Sequence, residues 1–150
     1  MPQGSWFVPR LCLLWVAAYT GLSATAWADS DLPGPIPAAL VRVIDGDTVE
    51  VRARIWLDLD LTTRVRLAGI DAPELNGACP EERQRAEEAR GILADLLGAG
   101  PVWLAEIQRD KYSGRVVADV MTRNGRSASA AMLAVRAAVE WGARAAWCLH

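Results

Sequence analysis

A chain of 150 residues with 52% hydrophobic content has room for one domain and enough apolar material to give it a core. Its 16 basic and 18 acidic side chains leave a formal charge of −2, which excludes the broadly basic surface by which many proteins attract a polyanion. Every cationic side chain except Lys111 is an arginine, the residue suited to bidentate contacts at a defined place.

Residues 1–28 read as a secretory signal peptide. Arg10 gives a positive start, Leu11 to Ala26 carries no charge, and Ala26-Trp27-Ala28 is a small-x-small cleavage site. The uncharged run is 16 residues, short of the roughly 20 that a spanning helix needs. Cleavage is therefore the expectation, with an uncleaved anchor as the alternative, and the protein is expected in the periplasm or the medium with no membrane attachment afterwards. Removal leaves 122 residues with 15 basic and 18 acidic side chains. It also leaves two cysteines, Cys79 and Cys148, an even count in a compartment that permits disulfides. Pairing would close a loop of about 70 residues, for which chain-entropy reasoning gives roughly 4 kcal/mol. Two buried free thiols are the alternative.

Residues 29–39, with three prolines and a glycine, read as an extended lead-in to a domain over 40–150. Leu40 to Ile44 is a short strand ended by Asp45-Gly46-Asp47. Thr48 to Trp56 alternates, with Val49, Val51, Ala53 and Ile55 on one face and Glu50, Arg52 and Arg54 on the other. Asp58 to Asp60 is a connection, and Thr63 to Ala68 alternates again with Val65 and Leu67 inward. Pro80 to Leu97 has a helical period, with Ala86, Ala89, Leu93 and Leu96 or Leu97 on one stripe, glutamates in its first half, and Gly98, Gly100 and Pro101 to stop it. Val102 to Ile107 and Val116 to Thr122 add two strands. Ser127 to Ala138 is a second helix that Ser127 can cap, and Val139 to His150 is a candidate for a third. Five short strands with an inserted helix suit a small closed barrel in an α+β fold.

Three polar clusters fall at strand ends. They are Asp45-Gly46-Asp47, Arg66 to Glu74 with its acids flanking Pro73, and Asp110-Lys111-Tyr112-Ser113-Gly114-Arg115. Each alone is an ordinary turn. Together they offer hard oxygen ligands for a divalent cation, a further acid to act on water, and arginines for a phosphate whose charge grows during attack. No H-E-x-x-H, G-x-S-x-G or P-loop competes, and the single histidine, His150, reads as solvated tail.

The order V-I-D-G-D-T-V, R-x-x-G-I-D-A-P-E and D-K-Y-S-G-R, from about Leu40 to Ala138, resembles the staphylococcal nuclease (thermonuclease) family. The resemblance implies an OB-fold five-stranded β-barrel with about three helices. It implies calcium held by Asp47, Asp71 and the backbone carbonyl of Ala72, with Asp45 as an outer acid. Glu74 would orient or deprotonate the attacking water, Arg66 and Arg115 would hold the phosphate, and Lys111 and Tyr112 would contact a neighbouring one. The substrates implied are DNA and RNA, single-stranded or frayed, cut by a monomer. Ser113 lengthens the third motif by one residue, and Trp141 stands where a second site tyrosine is looked for. The competing reading is a non-catalytic OB-fold module that binds single-stranded nucleic acid or another ligand.

Overall fold

The computed structural model describes residues 31–144 and 146–148. The signal-peptide segment 1–28 and His150 lie outside the described residues.

The elements run β1 (Ile36–Val43), β2 (Thr48–Trp56), β3 (Leu59–Leu67), β4 (Ile70–Asp71), α1 (Pro80–Leu97), β5 (Pro101–Arg109), β6 (Arg115–Met121), α2 (Ala128–Ala134) and β7 (Val139–Glu140). Five of the strands close a barrel in the order β1-β2-β3-β6-β5, and β4 and β7 form a separate two-stranded sheet. Every barrel pair is antiparallel except β3 with β6, which run parallel.

Alternation along the strands fills the barrel. Val49 and Val51 from β2, Val65 and Leu67 from β3, and Ala118 and Val120 from β6 are buried, and Ala89 and Leu93 of α1 belong to the same core. At about 25 cal/mol per Å² of apolar area, each large side chain sealed here contributes on the order of 2 kcal/mol. The helix stripe resolves in favour of Leu97, which is buried with Ala86, Ala89 and Leu93. Gly98 ends the helix at φ 58°, its N–H bonded to the carbonyl of Ala94. Ser127 caps α2 by accepting from the N–H of Ala130.

Four expectations need correction. First, β1 begins at Ile36, inside the stretch read as lead-in, because Ile36 to Ala39 pair with Leu104 to Pro101 of β5 and so complete the barrel. Pro37 is an exposed strand residue there, so proline marks no loop. Second, the connection expected at Asp58 to Asp60 is a turn at Leu57-Asp58, and Leu59 and Asp60 already pair with β2. Third, Ile55 does not join the core. The β2–β3 hairpin outruns the barrel, leaving Ile55, Trp56 and Leu57 exposed, so backbone pairing shapes this tip without burial. Fourth, no third helix occurs over Val139 to His150 among the described residues. Val139 and Glu140 pair with Asp71 and Ile70, and Gly142 turns the chain at φ 83°.

The cysteines are joined. Cys79 and Cys148 form a disulfide across 69 positions, tying the chain's last described residues to the N-cap of α1.

Candidate active site

The first acidic cluster forms because β1 and β2 must reverse through the four residues Ile44 to Asp47. Asp45 stabilises that turn by accepting the N–H of Asp47 at 3.1 Å. Gly46 is required by space. A Cβ there would stand 2.8 Å from the Cβ atoms of both Ala72 and Ala89, so the turn presses directly on α1 and on the segment after β4. That contact turns Asp47 inward, where its side chain is 5% exposed.

Asp47 is then surrounded by donors. Thr48 Oγ1 donates to its Oδ1 at 2.8 Å, the backbone N–H of Ala72 to its Oδ2 at 3.1 Å, and Arg66 Nη1 lies 3.0 Å from Oδ2. Arg66 projects from the end of β3. Its Nη2 donates to Asp71 Oδ1 at 2.9 Å and to the carbonyl of Ile70 at 3.3 Å. One guanidinium therefore bridges two carboxylates from different loops. Burial lifts the Asp47 carboxyl to about 6, and Asp45 adds to the rise, against the downward pull of Arg66, Thr48 and Ala72.

The second cluster is held from behind. Ser129 of α2 donates to the carbonyl of Ala68 at 2.8 Å, and the N–H of Trp141 donates to the carbonyl of Gly69 at 3.0 Å. With the β4–β7 pairing, these bonds fix the loop that presents Asp71 and Glu74. The Arg66 guanidinium lies 4.7 Å from the centre of the Trp141 ring, within cation–π range.

Glu74 is exposed and points into a crowd of like charge. Burial raises its pKa, Asp45 and Asp71 raise it further, Arg66 lowers it, and Glu82 raises it again. A carboxyl lifted in this way is a better proton acceptor than an ordinary glutamate. Glu82 also supports the loop, its Oε2 accepting the N–H of Ala78 at 2.8 Å.

The third cluster closes the other side. Asp110 pairs with Arg115 and accepts the N–H of Tyr112 at 3.3 Å, which makes Ser113 part of a compact turn. Burial of Asp110 opposes ionisation, but the Arg115 hydrogen bond and the turn N–H groups outweigh it and hold the pKa low. Lys111 Nζ and Arg115 Cζ each lie 5.0 Å from the centre of the Tyr112 ring.

A cleft of about 610 Å³ joins the second and third clusters, with Arg66, Asp71, Glu74, Lys111, Tyr112 and Arg115 among its walls. Asp47 and Ala72 are buried beside it; Asp47 bonds to Arg66 of its lining, and Ala72 bonds to Asp47. The structure thus brings together the residues singled out by the three motifs. Ala72 touches Asp47 through its N–H. Arg109 and Asp110 also line the cleft. Sequence reasoning passed over Arg109 because it closes a strand without a motif of its own. Glu82 was missed as a support, although its place three residues after the N-cap is where a side chain can reach back.

Comparison with known proteins agrees with the geometry. Residues 64–144 match the family described as staphylococcal nuclease homologue. An "Uncharacterized endonuclease" of Escherichia coli is 32% identical over 106 residues, 71% of this chain and 60% of the relative. A "Micrococcal nuclease" of Shigella flexneri is 37% identical over 91 residues, 61% of this chain and 42% of the relative. The chain thus spans about 60% of the length of the Escherichia coli protein it matches. With the family match covering more than half of the chain, the second and third motifs lining one cleft and Asp47 of the first bonded to its Arg66, the protein belongs to the staphylococcal nuclease homologue family.

Proposed function

We propose that the protein is a calcium-dependent phosphodiesterase that hydrolyses DNA and RNA. The observation that carries this reading is the bridge from Arg66 to Asp47 and Asp71 at the edge of a cleft that also holds Glu74 and Arg115. A stable barrel does not need two carboxylates, a raised glutamate and two arginines at one place.

The donor set fits a hard divalent cation. Asp47 and Asp71 offer carboxylate oxygens, Asp45 stands in the same turn, and the charge that Arg66 now neutralises is the charge a cation would meet. Asp47, Asp71 and the carbonyl of Ala72 are the residues that would hold it. Bound there, calcium supplies positive charge to a phosphate and favours ionisation of nearby water.

The remaining steps belong to side chains. Arg66 and Arg115, from parallel neighbours β3 and β6, hold the phosphate oxygens with fixed guanidinium forks. Glu74 takes the proton from a water as its oxygen forms the new bond to phosphorus. The bond from phosphorus to the 5′ oxygen breaks, and that oxygen leaves with a proton from solvent. Lys111 and Tyr112 receive an adjoining part of the strand, and an open cleft suits single-stranded or frayed substrate. One copy of the chain contains every group named, so a monomer suffices. The disulfide supports an oxidising compartment, in keeping with export directed by residues 1–28.

The test is cleavage of denatured DNA and of RNA in calcium or EDTA, with Glu74→Gln and Arg66→Ala beside the wild type. Calcium-dependent cleavage lost by powers of ten in both variants is expected. A protein inert under all conditions, yet retaining the strand on a filter, would be a binding module instead.

A further inference from the structure

The outer face of the β3–β6 pair carries more positive charge than the reaction uses. The strands run parallel, with Arg64 opposite Arg115 and Arg66 opposite Val117. Register partners share a face of a sheet, and alternate residues along a strand share one as well. Arg64, Arg66 and Arg115 therefore project on the same side, while Val65 and Leu67 fill the core.

Like charges directly opposite one another cost a sheet stability. For two of the arginines the fold offsets that cost, with Asp47 and Asp71 on Arg66 and Asp110 on Arg115. Arg64 has no carboxylate at ion-pair distance among the described residues. The acid across the ladder from it is Glu50, whose ion pair is made with Arg42 and which feels Arg64 only as a weaker, more distant charge. Among the described residues Arg64 makes no ion pair, and it is exposed.

It is also not isolated. A second groove of about 510 Å³ is lined by Arg64, Tyr112, Ser113, Gly114 and Arg115. Tyr112 and Arg115 line the main cleft too, so the two depressions adjoin along one wall. Tyr112, 57% exposed, stands between them.

We propose that Arg64 and the turn Tyr112-Ser113-Gly114 form an outlying phosphate subsite that extends the strand path one phosphodiester beyond Lys111 and Tyr112. The proposal rests on the nucleic-acid reading of the cleft and deepens it. Arg64 and Arg66 are two positions apart on β3, about 7 Å at the usual rise of a strand. That spacing is commensurate with successive phosphates of an extended single strand. Arg64 offers a fork that no carboxylate occupies, and the turn with Ser113 forms the opposite edge of the groove. An exposed cation that forms no ion pair among the described residues, in line with the cleft, gives a chain of net charge −2 local attraction that its overall balance lacks.

The test uses a short oligothymidylate, with binding measured in EDTA and KM measured in calcium, each across a sodium chloride series. Wild type is compared with Arg64→Gln, Arg64→Lys and Arg52→Gln. Arg52 lines a different groove with Pro37 and Ala99. Losing one phosphate contact is expected to make the log–log salt slope of Arg64→Gln shallower by about 0.7. Its affinity at low salt should fall several-fold, with kcat held. Arg64→Lys should keep the slope because it keeps the charge, and Arg52→Gln should follow the wild type. An Arg64→Gln slope equal to that of the wild type in both measurements overturns the subsite while leaving the nuclease reading intact. A wild-type protein that neither binds nor cuts the strand overturns both.

Discussion

The guanidinium of Arg66 and the carboxylate of Asp47 lie 3.0 Å apart with their side chains 13% and 5% exposed, so the pair bears on the fold as well as on the proposed chemistry. Removing one partner of a buried pair strands the other charge. Arg66→Ala is expected to cost about 3–5 kcal/mol of stability in denaturant unfolding without calcium. Part of that loss should return in mild acid, where Asp47 can take a proton. An Arg66→Ala protein as stable as the wild type at neutral pH would refute this dependence.

The Asp47 carboxyl, held at about 6, gives a stability profile of unusual sign. Its folded pKa lies above the roughly 3.9 of an unfolded aspartate, so between those values the native state binds the extra proton. Stability from this group is present below about pH 4 and is lost as pH rises to about 6, by up to ~3 kcal/mol. Calcium should oppose the loss, because it favours the ionised carboxylate. The melting temperature in EDTA is expected to fall across that window, and the calcium-induced rise in melting temperature is expected to appear above it and fade below. A calcium shift of equal size at pH 4 and pH 7 would exclude Asp47 as a ligand.

Glu74 has the opposite balance between activity and stability. It is exposed, and Asp45, Asp71 and Glu82 all disfavour its charge. Glu74→Gln is expected to lower kcat by about 10²–10⁴, the range typical of a lost general base. Its melting temperature in EDTA should be unchanged or slightly higher, since one repelling carboxylate is gone. A variant that keeps full turnover removes Glu74 from the reaction.

Gly46→Ala probes how the turn is seated. The new methyl would meet Ala72 and Ala89 at 2.8 Å, and neither neighbour has a flexible end that can swing away. A destabilisation of about 1–3 kcal/mol is expected. Because Asp47 follows directly, the calcium-induced melting shift should shrink as well. Calorimetry with and without calcium separates the two effects.

The candidate site was findable in the sequence because its residues sit in short motifs at strand ends. Asp47, Asp71, Glu74, Arg66 and Arg115 all stand where the strand pattern breaks, and breaks are where side chains from separate strands can meet. The parts that escaped depend on pairing between distant segments. Residues 36–39 look like a proline-rich leader until β5 is beside them. Val139 and Glu140 look helical until Ile70 and Asp71 are. The hairpin tip escaped for another reason. Ile55 continues the alternation of β2, but beyond the barrel there is no interior for it to enter. The Glu82 support for the Ala78 N–H was hidden because a glutamate in a first helical turn is usually explained by the helix alone.

The parallel pairing of β3 with β6 has a consequence for when the cleft exists during folding. Asp47 and Arg66 come from a local hairpin, in which Thr48 already sits opposite Arg66. Arg115 reaches the same face through a parallel pairing that spans all of α1 and β5 in sequence. Closing contacts of this range form late, because the loop entropy must be met before they reward it. A half-unfolded chain is therefore expected to hold the acidic side of the cleft before its second arginine arrives. Barrel closure would then act as the molecule's own interlock, keeping the proposed catalytic set from incomplete chains.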